Sequence, residues 1–504
     1  VSRIEGIDTV LTNPNPNQQF LSRYTQVNAL QKLKYKLNEQ QSLTYNFQLG
    51  YTSDIPRYDR LILIDENDSL VNGDWYYGPQ FWMLNQLAFQ SNKESKLSDR
   101  VYIGLSNQQF EESRNDRKFG SAELAQRTEN VDAWSLNIDA QKELTNNVKL
   151  NYGAESVLNR IASRGEVLNI DNGNLTPTST RYPDGSKWLT AGVYINGLKN
   201  ITSKYLVEGG VRYNLTSSSG VFDTNYYPFP ESSFSNTTQA LTGSLSQIFK
   251  FKHSKLAFIT STGFRAPNID DLSKVFDSNP GLVVLPNTTL KSEYAYNAEI
   301  NYNLIVKGKL KLGVSVFYTY LNNAITKSRT TFNGQDSIVY DGVLSAVEML
   351  TNQDFASVYG SQINLNYEIN EHFLLTSNFT LLASDSKDGL PIRHISPNFG
   401  NTTLRYTKDK LRIILFSNYN QRFDFDQFAL SERNDAYLYL KDDNGNPYSP
   451  SWFTLSLRGA YELNNRSIIN LGIENMLNKR YRPYRSGITA AGRNFTVSFS
   501  HIFK

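Results

Sequence analysis

Cysteine is absent from the 504 residues, so disulfides, thiolate catalysis and Cys-ligated metals are excluded together, as suits export through an oxidising compartment. Long apolar runs are also missing: nothing approaches the roughly 18 consecutive residues that a transmembrane helix needs. Neither sign of charge dominates, with 51 basic and 48 acidic residues scattered along the chain, which argues against a nucleic-acid footprint. Histidines number only four, and Val1 opens the chain with no signal-peptide pattern. No phosphate-cradling glycine loop, paired helix histidines or G-x-S-x-G occurs. Only His394 with Ser396 would permit a rim-located hydrolytic triad.

What is plentiful is aromatic residues, 13% of the total with 31 tyrosines, spread evenly. They fall in segments of about ten residues with period-two alternation, the pattern of a strand between lipid and a polar lumen. Leu310, Leu312, Val314, Val316, Tyr318 and Tyr320 alternate with Lys311, Gly313, Ser315 and Thr319, broken only by Phe317. The same rhythm places Phe453, Leu455 and Leu457 opposite Thr454, Ser456 and Arg458.

A soluble β-sandwich also alternates, but the connections separate the two. Very short polar turns (38–40, 308, 371–372, 408–410, 464–465) alternate with long polar loops (53–75, 162–187, 217–237, 267–288, 322–357, 422–450). Short turns on one side and long loops on the other describe an outer-membrane barrel with the short side periplasmic. Paired aromatics such as Tyr76 with Tyr77 and Tyr226 with Tyr227 are expected in the interfacial girdles. The expected fold is all-β, one transmembrane antiparallel β-barrel over residues 1–504 with about 19 strands. An odd number cannot close antiparallel, so at least one strand is expected before residue 1. A complete barrel of 22 strands would place about three strands and a plug outside this sequence.

The run Gly263-Phe264-Arg265-Ala266-Pro267-Asn268-Ile269-Asp270-Asp271-Leu272, followed by Pro286-Asn287-Thr288-Thr289-Leu290-Lys291-Ser292-Glu293, resembles two boxes of TonB-dependent receptors. Their motif positions here are Phe264, Arg265, Ala266, Pro267, Asn287, Leu290 and Glu293. The ending from Asn470 to Tyr481, with Gly492-Arg493-Asn494-Phe495, resembles that family's C-terminal signature. Earlier pieces, Ser53 to Leu61, Trp75 to Gln80, Glu112-Ser113-Arg114 with Arg117, and Arg181 to Gly185, are similar to the subgroup for haem, haemoglobin or iron-protein uptake. No histidine lies between Pro267 and Asn287, so that loop supplies no imidazole to haem.

The resemblance implies a non-enzymatic outer-membrane receptor that actively imports an iron complex, as haem, haem-protein iron or a siderophore. Such a receptor is driven by the TonB–ExbB–ExbD energy-coupling complex through a plug, sits in outer-membrane lipid, and can be capped by a surface lipoprotein. Haem would be cargo, with no covalently held cofactor and no resident metal. The same architecture could import cobalamin or an oligosaccharide, or serve as a barrel subunit of a larger envelope assembly.

Candidate ligand-binding residues follow from position. His253 and His372 fall in short turns and His501 in the last strand, which leaves His394 on the long-loop side as the candidate haem ligand, or else an ordinary loop residue. Arg265, at the top of an ascending strand, could clamp an anion, or else fix loop geometry. Tyr58, Trp75, Tyr226 and Tyr227, with Phe229, could stack on a flat ligand or anchor at the membrane interface. Asp270 and Asp271 could aid a cation, though adjacent loop carboxylates are ordinarily solvated.

Overall fold

The structure, a computed structural model, describes every residue except 66, 146, 227–230, 275, 280, 341–342, 388, 434–437 and 504, together with the side chains of 276–279, 353–354 and 431. Nineteen long strands follow one another. They are β1 (Gln26–Lys36), β2 (Gln41–Thr52), β3 (Gln80–Ser91), β4 (Arg100–Lys118), β5 (Glu123–Thr145), β6 (Val148–Asn169), β7 (Lys187–Asn200), β8 (Tyr205–Val221), β9 (Ser233–Lys250) and β10 (Ser254–Arg265). The rest are β11 (Glu293–Val306), β12 (Leu310–Arg329), β13 (Val343–Glu368), β14 (Phe373–Ser386), β15 (Phe399–Lys408), β16 (Leu411–Asn420), β17 (Trp452–Asn464), β18 (Ser467–Glu474) and β19 (Asn494–His501). Each pairs antiparallel with the next, giving one large curved sheet.

The two faces of the wall differ as the alternation requires. Val316 and Tyr318 on β12 are about half exposed on the outward face, as are Ile300 and Tyr296 on β11. Phe317, the residue that breaks the pattern, points inward. It pairs with Gly360 of β13, where an added Cβ would lie 3.1 Å from the Phe317 ring, so the missing side chain makes room for it. Inward positions at the upper ends of the strands are polar and covered, among them Asn214, Thr216 and Ser218 of β8.

Among the described residues no ladder joins β1 to β19, and every residue of both strands is exposed. With 19 strands in strict antiparallel order the two edges run in the same direction. They cannot complete an antiparallel wall with each other.

Several expected loops are in fact strand. Within the expected loop 322–357, residues 322–329 and 343–357 are the paired upper ends of β12 and β13, with Ser328 opposite Met349, and β6 continues to Asn169. Past the lipid a strand need not be apolar outside and polar inside, so the alternation that marks a membrane strand fades there, and the upper half of β13 turns Val347 into a small apolar core with Val283 and Leu285. Tyr76 and Tyr77 belong to a strand of the loop region. They lie in a short strand, Asn72–Tyr77, paired with the top of β4, where Tyr76 stands opposite Asn115 and Tyr77 opposite Arg114.

Candidate functional site

At the outer mouth, the inward faces of β4 and β5 put Glu112 directly opposite Glu129. Two like charges across a ladder repel each other. The loop after β6 answers by inserting Arg181, whose Nη1 lies 3.3 Å from Glu112 and 3.7 Å from Glu129. Glu129 is almost fully buried and neither of its oxygens accepts a hydrogen bond among the described residues, so this cation is what holds it. Arg114, one step further up β4, sits 3.3 Å from Glu112 and stacks its guanidinium 5.0 Å from the Tyr77 ring.

Tyr77 leads to the 53–77 loop. Arg57 donates to its hydroxyl at 2.6 Å, grips both oxygens of Asp59, and lies over the rings of Trp75 and Tyr77. Trp75 meets Tyr77 edge to face with ring centres 5.0 Å apart. Tyr58 is half-buried in the adjoining single turn α1 (Tyr58–Leu61). The loop between β18 and β19 closes on this turn: a Cβ on Gly487 would lie 2.3 Å from Asp59 Cβ.

The other arm of Arg181 reaches Asp270 at 3.6 Å, in α2 (Ile269–Ser273). Asn268 and Asp271 close a reciprocal capping box that starts this helix. Its apolar side, Ile269 and Leu272, packs against Phe222, Phe234 and Leu290. Asp270 also accepts from Tyr182 at 2.7 Å and pairs with Lys274 at 3.2 Å. Burial pushes the Lys274 ammonium down to about 8, outweighing the pull of Asp270. Burial alone would raise the Asp270 carboxyl, but Lys274, Tyr182 and Arg181 hold it below its usual range. Asp270 and Asp271 are therefore committed to cations of the chain.

Arg265 binds both oxygens of Asp271, at 2.6 and 2.7 Å, and one of Glu293 at 2.9 Å. Glu293 in turn accepts from the Ile325 amide at 2.6 Å. Phe264 lies 6.3 Å from the Tyr294 ring, Pro267 is fully buried, Leu290 is core, and Asn287 donates to the Leu350 carbonyl at 2.7 Å. Arg265 thus fixes the geometry of the loop, with two carboxylates already on its guanidinium.

His394 lies apart from this belt, in the loop after β14, with positive φ (69°) and its side chain two-thirds exposed. Its amide donates to Glu432 of α3 (Leu430–Arg433) at 3.0 Å. Glu432 is buried and also takes Arg485 at 2.8 Å and the Tyr484 hydroxyl at 3.1 Å. Ser396 spends its hydroxyl on the Pro397 carbonyl. Tyr226 is partly exposed in a turn on the 222–232 loop, while Tyr227 and Phe229 lie outside the described residues. His253 follows β9 in a short turn, His372 precedes β14 in another, and His501 closes β19 beside Ser467.

Of the residues expected to bind ligand, the fold gathers Trp75 and Tyr58 into the belt and brings Arg265 to its far end, with His394 and Tyr226 elsewhere on the rim. Glu129 and Lys274 of the belt, and Glu432 and Arg485 beneath His394, were not legible as parts of these clusters. Each is one charge among many, and only the meeting of distant loops marks it.

An antiparallel wall with apolar residues outside, polar residues inside and structured loops over one mouth defines an outer-membrane receptor barrel. The comparisons with known proteins agree. The family described as TonB dependent receptor-like, beta-barrel, matches residues 9–476, and the chain belongs to that family, whose members are outer-membrane transporters and not enzymes. Hemoglobin-binding protein A of Haemophilus influenzae is 26% identical over 250 residues, 45% of this chain and 23% of that protein. The iron-regulated outer membrane virulence protein of Vibrio cholerae is 23% identical over 252 residues, 48% of this chain and 36% of that protein. The matched part is thus well under half of either relative's length. Among solved structures, the copper transporter OprC superposes with a TM-score of 0.75 at 13% identity, covering 95% of this chain and 72% of that one. The Serratia marcescens hemophore receptor HasR, solved with its hemophore HasA and heme, gives 0.70 at 13% identity with the same coverage. At such identity these likenesses show the fold alone.

Proposed function

We propose that the protein imports an iron complex across the outer membrane, energised by TonB, with haem or haem-protein iron ahead of a siderophore. The observation that carries this reading is the belt from Asp59 to Glu293. Three loops converge there to hold stacked aromatics and alternating charges on the inward side of the outer mouth, where a planar, carboxylate-bearing ligand would meet arginines and rings together. The names of the two relatives, one for haemoglobin binding and one for iron regulation, point the same way. His394 is the exposed imidazole beside that mouth and the candidate axial ligand to haem as cargo. A protein partner on the loops is part of the proposal, and so are a plug and an odd number of further strands to bridge the seam between β1 and β19.

A strain lacking the gene, complemented with the full-length receptor, tests the reading. Growth under iron restriction on haem or haemoglobin, abolished when TonB is disabled, supports it. Equal growth with and without the receptor on haem, haemoglobin and siderophores, or uptake confined to cobalamin, an oligosaccharide or copper, overturns it.

A further inference from the structure

Glu129 is the most weakly held charge of the outer mouth. It stands on the inward face of β5 in a row with Glu112 of β4 and Ser163 of β6, its direct neighbours across the two ladders. The uppermost exposed apolar residue on the outward face of β5 is Trp134, so the row lies above the lipid-facing band. Both carboxylate oxygens of Glu129 and the hydroxyl of Ser163 are buried and have no hydrogen-bond partner among the described residues. The Ser163 amide is committed to Asp184, to which it donates at 2.8 Å. What Glu129 has is one cation, Arg181, at 3.7 Å, and that cation is shared.

Three carboxylates divide the Arg181 guanidinium, and they depend on it unequally. Glu112 also accepts from Gln80 and from Arg114, each at 3.3 Å. Asp270 also has the Tyr182 hydroxyl and Lys274. Glu129 has no second ion pair among the described residues: Arg114 is taken up by Glu112, and Arg127, on its own strand, by Asp116 at 3.5 Å. Burial lifts the Glu129 carboxyl above its usual range, against the pull of Arg181 and then of Arg114 and Arg127, while Glu112 lifts it further. Arg181 itself keeps a buried Nε–H without a partner. A ligand carboxylate gripped on two prongs uses that N–H together with a terminal one, which draws the guanidinium off Glu129. A buried carboxylate that loses its one cation does not stay charged, because nothing then offsets its desolvation. The unpartnered Ser163 hydroxyl across the ladder can accept from the neutral acid.

We infer that Glu129 is the proton acceptor of the mouth: when an incoming carboxylate draws Arg181 away, Glu129 takes one proton from solvent, so that ligand capture is coupled to proton uptake. For the iron ligand this rests on the proposed import of a carboxylate-bearing complex, whereas the linkage between Arg181 and Glu129 is a property of the receptor alone. The carboxyl titrates at a higher pH in the complex than in the free receptor. Between those two values the complex holds one more proton, and affinity falls as pH rises.

Two measurements on the full-length receptor in detergent test this. Arg181→Met withdraws the cation while filling its space, and infrared difference spectra compare it with the Arg181→Met, Glu129→Gln double variant at neutral pH. The expected result is a protonated-carboxyl C=O band that the double variant lacks, with heat-modifiable mobility confirming that both are folded. The second measurement titrates wild type and Glu129→Gln with haem, whose propionates are the carboxylates, and with its dimethyl ester. From about pH 6 to about pH 8 the haem dissociation constant is expected to rise about tenfold more in wild type than in Glu129→Gln, and the ester to show no such difference. Lys274, which titrates near 8, is present in both proteins and drops out of the comparison. No band in folded Arg181→Met overturns the linkage whatever haem does, and haem binding with one pH profile in both proteins overturns the coupling. Absence of haem binding with the band present strikes the import reading and upholds the linkage.

Discussion

Arg265 and Glu293 face each other across the ladder between β10 and β11, and their side chains meet at 2.9 Å, so the two boxes of the sequence are joined at their ends by one ion pair. The same guanidinium holds Asp271, which closes the capping box of α2. Strand end, loop and helix are thereby fixed by one side chain.

Arg265→Ala leaves Asp271 buried with its main cation gone. Because Arg265 is nearly half exposed, the expected cost is modest, about 1–2 kcal/mol confined to the loop. Amide hydrogen exchange over residues 267–273 is expected to quicken about tenfold, with Arg265→Lys intermediate. Unchanged exchange in the alanine variant would show that the capping box stands without the ion pair.

Glu432 serves Arg485, Tyr484 and the His394 amide while itself 1% exposed. Removing a buried charge that satisfies another is costly, so Glu432→Ala is expected to lose about 3 kcal/mol of local stability, and Glu432→Gln less. Limited proteolysis reads this directly, as earlier cleavage in the 421–451 and 475–493 loops. If the alanine variant is cut at the wild-type rate, the hub does not hold those loops.

Lys274 gives a pH signature. Its ammonium titrates near 8 in the folded protein against 10.5 in an exposed chain, so between these values the unfolded loop binds more protons than the folded one. Stability of the α2 loop is then expected to rise as pH increases from about 8 to 10.5, and to be lower below 8. Asp270 is held below the carboxylate range and arginines stay charged, so neither adds to this window, but Tyr182, pushed above the usual phenol range, opposes the rise near pH 10, where only the unfolded phenol loses its proton, and the rise is expected to level off there. Hydrogen exchange followed against pH, corrected for intrinsic rates, checks the rise, and Lys274→Met is expected to flatten it. A wild-type profile that is already flat would mean that Lys274 keeps its ordinary affinity for protons.

Much of the wall was readable from the chain. Alternation located the strands, and their number, with its odd parity, came out at the 19 observed. The upper halves of β5, β6, β12 and β13 were not readable, since the apolar-out, polar-in period is no longer required once a strand leaves the lipid, and Ile325, Val347 and Leu350 there pack into loop cores instead. Interactions at the mouth were hidden for a different reason. Arg181 and Asp270 are 89 positions apart, and nothing local to either shows that two loops bring them together with Glu112 and Glu129. Arg265 and Glu293 stood out because their segments matched known boxes, and even there the sequence left open whether Arg265 clamps a ligand or fixes the loop.

The most direct test of the wall itself exploits the missing cysteines. Single cysteines placed in turn at 314–319 of β12, carrying nitroxide labels in the full-length receptor in lipid, report collision with dissolved oxygen, which concentrates in hydrocarbon. The account predicts high oxygen accessibility at 314, 316 and 318 and low accessibility at 315, 317 and 319. Accessibility that fails to alternate along this segment, or alternates with the opposite phase, would contradict it.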